Sequence, residues 1–154
     1  MNFPIVPIEE VPPAESVAEA TAYRPFVLVV DDQSAIADAL AQILNRNGIS
    51  AVAAYDGASA LEIAQIMPPE LLVADVALPG MTGIELAIAV RNAFPDCKVL
   101  LVSGDAASVE LLASAHRAGH EFVLLNKPLH PAELLAQVSE CLGPRAGQRG
   151  VSFG

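Results

Sequence analysis

The chain is poor in groups that several large classes of protein depend on. It has 2 cysteines, Cys97 and Cys141, in 154 residues. That is too few for a disulfide-stapled scaffold, and their separation fits no metal-ligand pattern, so both are expected to be reduced thiols, buried or half-buried. Cations are scarce as well. Eight Lys and Arg stand against 18 Asp and Glu, a net charge of -10, which opposes binding to a phosphate backbone and argues against direct contact with nucleic acid. No apolar run approaches the length of a membrane helix. Residues 1–24 lack the basic start and apolar centre of a secretory signal, so the expected location is cytoplasmic, without membrane insertion. Internal sequence repeats are absent too.

What is present is a hydrophobic content of 53% in a length suited to one domain. Residues 1–24 carry Pro4, Pro7, Pro12 and Pro13 among Glu9, Glu10, Glu15 and Glu19, a mixture expected to form a flexible extension. The folded unit is expected over 25–143, with 144–154 as a flexible tail. Phe26–Val30 is a continuous apolar run, the pattern of a strand covered on both faces. From Ser34 the periodicity turns helical, placing Ile36, Ala39, Leu40, Ile43 and Leu44 on one face, with Gly48 as the stop. Ile49–Ala54 reads as a second strand. A helix opened by Asp56 or Gly57 follows, with Leu61, Ile63, Ala64 and Ile66 inward, ended by Pro68-Pro69.

Leu71–Ala74 then runs into Asp75, and Pro79, Gly80 and Gly83 turn the chain before a helix over Gly83–Ala93. Cys97–Val102 is expected as the fourth strand, Ser108–Ala118 as the fourth helix and Glu121–Leu125 as the fifth strand. A last helix starts at Pro131 and stops at Gly143-Pro144. Strict strand-helix alternation predicts an α/β fold: a doubly wound parallel sheet of five strands with helices on both faces.

Four of the five strands end in polar groups of different kinds. Asp31 and Asp32 follow the first, Asp75 the third, Ser103 the fourth and Lys127 the fifth. In a parallel sheet these termini share one edge, where ligands collect. Three carboxylates in one crevice repel one another, and a hard divalent cation with oxygen ligands, Mg²⁺, resolves the conflict. With a lysine and a hydroxyl nearby, the fitting ligand is a phosphoryl group, and a carboxylate nucleophile such as Asp75 is able to accept it.

Asp31-Asp32, Asp75 followed by Leu78-Pro79 and Gly83, Ser103, and Lys127-Pro128 together resemble the signature of response-regulator receiver domains of two-component signalling. The resemblance covers about Phe26 to Leu142. It implies a flavodoxin-like sheet in the order 2-1-3-4-5, with Asp75 accepting phosphate from a histidine kinase or a histidine phosphotransfer protein. It also implies direct Mg²⁺ ligation by Asp32 and Asp75, with Asp31 acting through water and the carbonyl of Ala77 adding a ligand. The Lys127-Pro128 peptide is often cis in this family.

The chain departs from the family pattern at three places. Leu124 stands where Tyr or Phe is usual, while Phe122 lies on the same strand face by alternation. Serine rather than threonine occupies position 103. Ala77 and Asp105 fall where side chains set the dephosphorylation rate.

Singly, each residue has a plainer role: a helix cap for Asp31-Asp32, a turn for Asp75, a loop hydroxyl for Ser103, a solvated cation for Lys127. Their convergence at successive strand ends favours function. The expected protein is a stand-alone receiver, not an enzyme acting on a separate substrate, with output through contact with a downstream protein. A pseudo-receiver that has lost the switch is the first alternative. An aspartyl-phosphate phosphohydrolase is the second, disfavoured by adjacent rather than alternate aspartates after the first strand.

Overall fold

All five residues of Phe26–Val30 (β1) and of Leu71–Asp75 (β3) are buried, as continuous apolar runs require when helices cover both faces of a sheet. The computed structural model describes residues 23–104 and 107–143. Ser50–Ala54 (β2), Lys98–Ser103 (β4) and Val123–Asn126 (β5) complete a wholly parallel sheet in the order β2-β1-β3-β4-β5. The helices are Ser34–Asn45 (α1), Gly57–Ile66 (α2), Gly83–Ala93 (α3), Ala107–Arg117 (α4) and Pro131–Leu142 (α5). No helix among the described residues is long and apolar enough to cross a membrane.

Strand alternation splits the core into two layers. Leu28, Val30, Leu72, Ala74, Val99 and Leu101 face α2, α3 and α4, where Ala60, Ala64, Ile84, Leu86, Ala87, Val90 and Ala115 meet them. Val27, Val29, Leu71, Val73, Leu100 and Val102 face α1 and α5, represented by Ala37, Ala41, Leu44, Leu134 and Val138. A fully buried leucine such as Leu28, Leu72 or Leu101 contributes about 2 kcal/mol from desolvation.

Local chemistry sets the helix ends. Asp56 caps α2 by accepting the Ser59 amide at 2.7 Å. α3 opens with a capping box: Thr82 Oγ1 accepts the Glu85 amide at 3.1 Å and Glu85 Oε1 accepts the Thr82 amide at 2.9 Å. Gly48 holds φ +83 after α1, a conformation that disfavours any side chain. At the sheet edge, the Asn45 amide donates to Ala51 O and accepts from Ala51 N, both at 3.0 Å, and so stands in for a neighbouring strand along β2.

Several expectations need correction. Ala39 is exposed on α1, whose buried positions are Ala37, Ala41 and Leu44, so the apolar face is turned toward the alanines. Ile66 is 83% exposed at the last position of α2, where the helix overhangs its sheet. The second and fourth strands start one residue later than expected, α4 spans Ala107–Arg117, and β5 starts at Val123 rather than Glu121. Glu121 and Phe122 precede the ladder: the Glu121 carbonyl accepts from Arg91 Nη1 at 3.2 Å, and the Phe122 ring lies under the Arg91 guanidinium at 4.9 Å and stacks on His120 at 6.0 Å.

Residues 1–22 and 144–154 lie outside the described residues, as does Asp105. Tyr23 and Arg24 are described and are held in place: the Tyr23 hydroxyl donates to Glu70 and Arg24 Nη2 donates to Asn45 O at 3.2 Å.

Candidate functional site

The sheet brings all the predicted strand-end groups to one edge. Asp31 directly follows β1, and its amide extends the ladder to Ala54 O at 3.1 Å. Asp75 is the last residue of β3. Ser103 ends β4 opposite Asn126, and the next amide, that of Lys127, donates to Ser103 O at 2.8 Å. Register therefore fixes the lysine beside the serine. The Lys127–Pro128 peptide is cis.

Asp31, Asp75 and Ser103 are the buried polar residues of the described core, at 2%, 6% and 3% exposure. Lys127 Nζ donates to Asp31 Oδ2 at 3.1 Å and to Asp75 Oδ2 at 2.9 Å, so one ammonium joins two carboxylates from different strands. The other oxygens take backbone amides, Asp31 Oδ1 that of Gln33 at 2.9 Å and Asp75 Oδ1 that of Ala77 at 3.0 Å. Asp31 thus serves a turn as well as the site, while α1 takes Gln33 as its N-cap with no side-chain bond. Burial works against the charge on Lys127, but its hydrogen bonds and attraction to Asp75 and Asp31 prevail and raise its pKa.

The residues fit a hard divalent cation. Asp31, Asp32 and Asp75 each offer one oxygen within 4.8 Å of the others. Asp32 is exposed, giving the cluster an open side. Three carboxylates against one ammonium leave an excess of negative charge on oxygen donors, the set that Mg²⁺ prefers. Ala77 is placed beside Asp75 through its amide.

Backbone hydrogen bonds hold the start of the β3–α3 loop to β4 and to the first residue of α3. Val76 N donates to Val102 O at 2.9 Å and Gly83 N to Val76 O at 2.8 Å, and Leu78 is buried beneath. Leu124 and Phe122 both pack, partly buried, on the layer shared with α2 to α4, in keeping with the alternation. Phe122 is held at the far end of β5 from Lys127, so its ring is not a neighbour of the carboxylates. A cavity of about 650 Å³ beside Lys127, lined by Ile36, Leu40, Ile43, Pro128 and Leu129, had no signal in the sequence. Helical periodicity places those α1 residues inward and does not distinguish a half-covered face from a covered one.

The comparisons with known proteins agree with this fold. Response regulator MprA of Mycobacterium avium is 32% identical over 116 residues, 75% of this chain and 50% of that protein. The DNA-binding response regulator MtrA of Mycobacterium tuberculosis H37Rv is 29% identical over 115 residues, 75% of this chain and 49% of that one. The chain therefore spans about half the length of these curated relatives. Among solved structures, a CheY-like receiver domain protein from Methanospirillum hungatei JF-1 is similar with TM-score 0.72 and 31% identity, covering 78% of this chain and 94% of that one. The chemotaxis response regulator CheY4 of Vibrio cholerae gives TM-score 0.69 at 29% identity, covering 77% and 99%. The family model for the response regulator receiver domain matches residues 27–139, and the chain belongs to that family.

Proposed function

We propose that the protein is a phospho-aspartate switch or relay, in which Asp75 accepts a phosphoryl group from a histidine kinase or a histidine phosphotransfer protein and the output is a contact with a downstream protein. The observation that carries this is the Lys127 ammonium seated on both Asp75 and Asp31 beside an exposed Asp32. An Asp75 carboxylate oxygen attacks phosphorus, the new O–P bond replaces the P–N bond of a phosphohistidine, and the freed imidazole takes up a proton. Lys127 is placed to follow charge onto the phosphoryl oxygens, and the Ser103 hydroxyl to hydrogen-bond one of them. Mg²⁺, held by Asp31, Asp32, Asp75 and the Ala77 carbonyl, would supply further positive charge to those oxygens.

The donor's seat is the cavity that opens beside Lys127 along Ile36, Leu40 and Ile43. Its partly covered apolar side chains suit the packing of a partner helix. The protein works as a cytoplasmic switch rather than as an enzyme on a separate substrate. Leu124, in place of the aromatic residue usual in the family, favours a second reading as a pseudo-receiver.

Intact mass after incubation with acetyl phosphate, with and without Mg²⁺, separates the two on wild type and Asp75→Asn. A phosphoryl adduct that needs both Mg²⁺ and Asp75 is the expected result. No adduct, together with no binding of beryllofluoride, would overturn the switch and leave the pseudo-receiver.

A further inference from the structure

Two helices of this molecule begin alike. α2 opens on Gly57 after the cap residue Asp56, and α3 opens on Gly83 after the cap residue Thr82. Both glycines are buried, and neither has the positive φ that would explain it. Space is the reason in each case, but the neighbours differ. A methyl group on Gly57 would lie 2.9 Å from Met81 Sδ, the far part of a flexible side chain. On Gly83 it would lie 2.1 Å from Asp75 O, 2.8 Å from Asp75 C and 2.9 Å from Val76 Cα, all backbone atoms. No rotamer change relieves that contact.

The peptide group met there is the one directly after the candidate acceptor. Its N–H, that of Val76, donates to Val102 O at 2.9 Å, and the following peptide is held by Gly83 N donating to Val76 O at 2.8 Å. The capping box at Thr82 and Glu85 fixes the first turn of α3 against it. Asp75 Oδ2 then lies 2.9 Å from Lys127 Nζ.

We infer that Gly83 is a positioning residue for the reaction at Asp75: by letting α3 seat on the Asp75–Val76 peptide, it sets where the carboxylate stands relative to Lys127 and Asp31. This rests on the acceptor role proposed for Asp75. Any side chain at 83 must displace either the helix or the acceptor. A misplacement of about 1 Å costs on the order of 10²-fold in rate.

The test is the rate of phosphorylation by acetyl phosphate in Mg²⁺, followed by intact mass over a range of donor concentrations, for wild type, Gly83→Ala, Gly57→Ala and Val138→Ala. Gly83→Ala is expected to lose on the order of 10²-fold in maximal rate, with the half-saturating donor concentration little changed. Gly57→Ala adds its methyl against a movable side chain, and Val138→Ala removes buried core volume on α5 without touching α3 or the acceptor peptide. Both are expected to keep the wild-type rate, which separates positioning from loss of stability. Equal rates in wild type and Gly83→Ala would overturn the positioning role alone, whereas a wild type that takes no phosphoryl group would overturn the acceptor role beneath it. Should Gly83→Ala not fold, amide hydrogen exchange on the wild type decides. Protection of Gly83 and Val76 matching that of central β4 supports the seating of α3, and exchange at loop rates refutes it.

Discussion

The two ends of the sheet are made by the same five strands and have opposite chemistry. At the C-terminal end, Asp31, Asp32, Asp75, Ser103 and Lys127 converge, and Lys127 is 23% exposed with two carboxylate partners. At the N-terminal end a cavity of about 660 Å³ is lined by Pro68, Pro69, Phe94, Pro95, Cys97 and Cys141. Its lysine, Lys98, is exposed and has no ion pair among the described residues. The strands between are almost wholly apolar, so the contrast is set by the residues at which the chain leaves each strand and those at which it enters. Residues that leave a strand are enclosed by the next loop and helix, and a charge there must find a partner. Lys98, where the chain enters β4, is open to water, and a charge there needs none.

Replacing each lysine by methionine tests this most strongly. Lys127→Met leaves Asp31 and Asp75 buried without their cation and is expected to destabilise the protein by about 3 kcal/mol in Mg²⁺-free buffer. Lys98→Met is expected to change stability by less than about 0.5 kcal/mol. Urea unfolding of both variants gives the answer, and similar losses would show that the ends differ in composition but not in electrostatics. Lys127→Met is also expected to slow phosphorylation at Asp75, since no other described cation reaches both carboxylates.

A smaller effect comes from pH. The folded-state pKa of Lys127 is raised: burial opposes its charge, but Asp75 and Asp31 outweigh it. Its contribution is therefore complete below the ordinary lysine pKa and is lost as pH climbs through the higher folded value. The gap in urea midpoint between wild type and Lys127→Met should hold from neutral to mildly alkaline pH and close only in strong alkali. A gap that shrinks near neutrality would show the ammonium to be held by less than two carboxylates.

The same contrast explains how much was legible in the sequence. Apolar runs that stop abruptly at Asp31, Asp75, Ser103 and Asn126-Lys127 announced both the strands and the site, because a strand covered on both faces stays apolar up to the edge where polar groups find partners. Edges were harder. The apolar character of Phe122 suggested strand, yet its ring is taken by Arg91 and His120 before the ladder begins. Ala39 and Ile66 belong to helices with more apolar residues than one face needs, so periodicity did not identify which would stay in water. The contact between Gly83 and the Asp75 carbonyl was invisible, since it depends on how closely α3 docks on the sheet and not on any spacing along the chain.

The smallest expected effect is at the quiet end. Burial pushes the Cys97 thiol up to about 11, with the charge of Arg91 offsetting only part, and Cys141, half-buried, is also raised by burial. Thiolate is the reactive form, so at neutral pH iodoacetamide should label Cys141 slowly and Cys97 more slowly still, with mass spectrometry after timed quenching as the readout. A strand of five residues spans about 17 Å, roughly twice the screening length of about 8 Å at physiological salt, and a carbamidomethyl group adds no charge. Protein labelled at Cys141 alone should therefore accept a phosphoryl group at the wild-type rate. A changed rate would mean that the two ends are coupled through α5 and the core rather than insulated by them. Rapid labelling of Cys97 would mean that β4 opens at its first residue, and the N-terminal end would then be a moving part of the molecule instead of its fixed base.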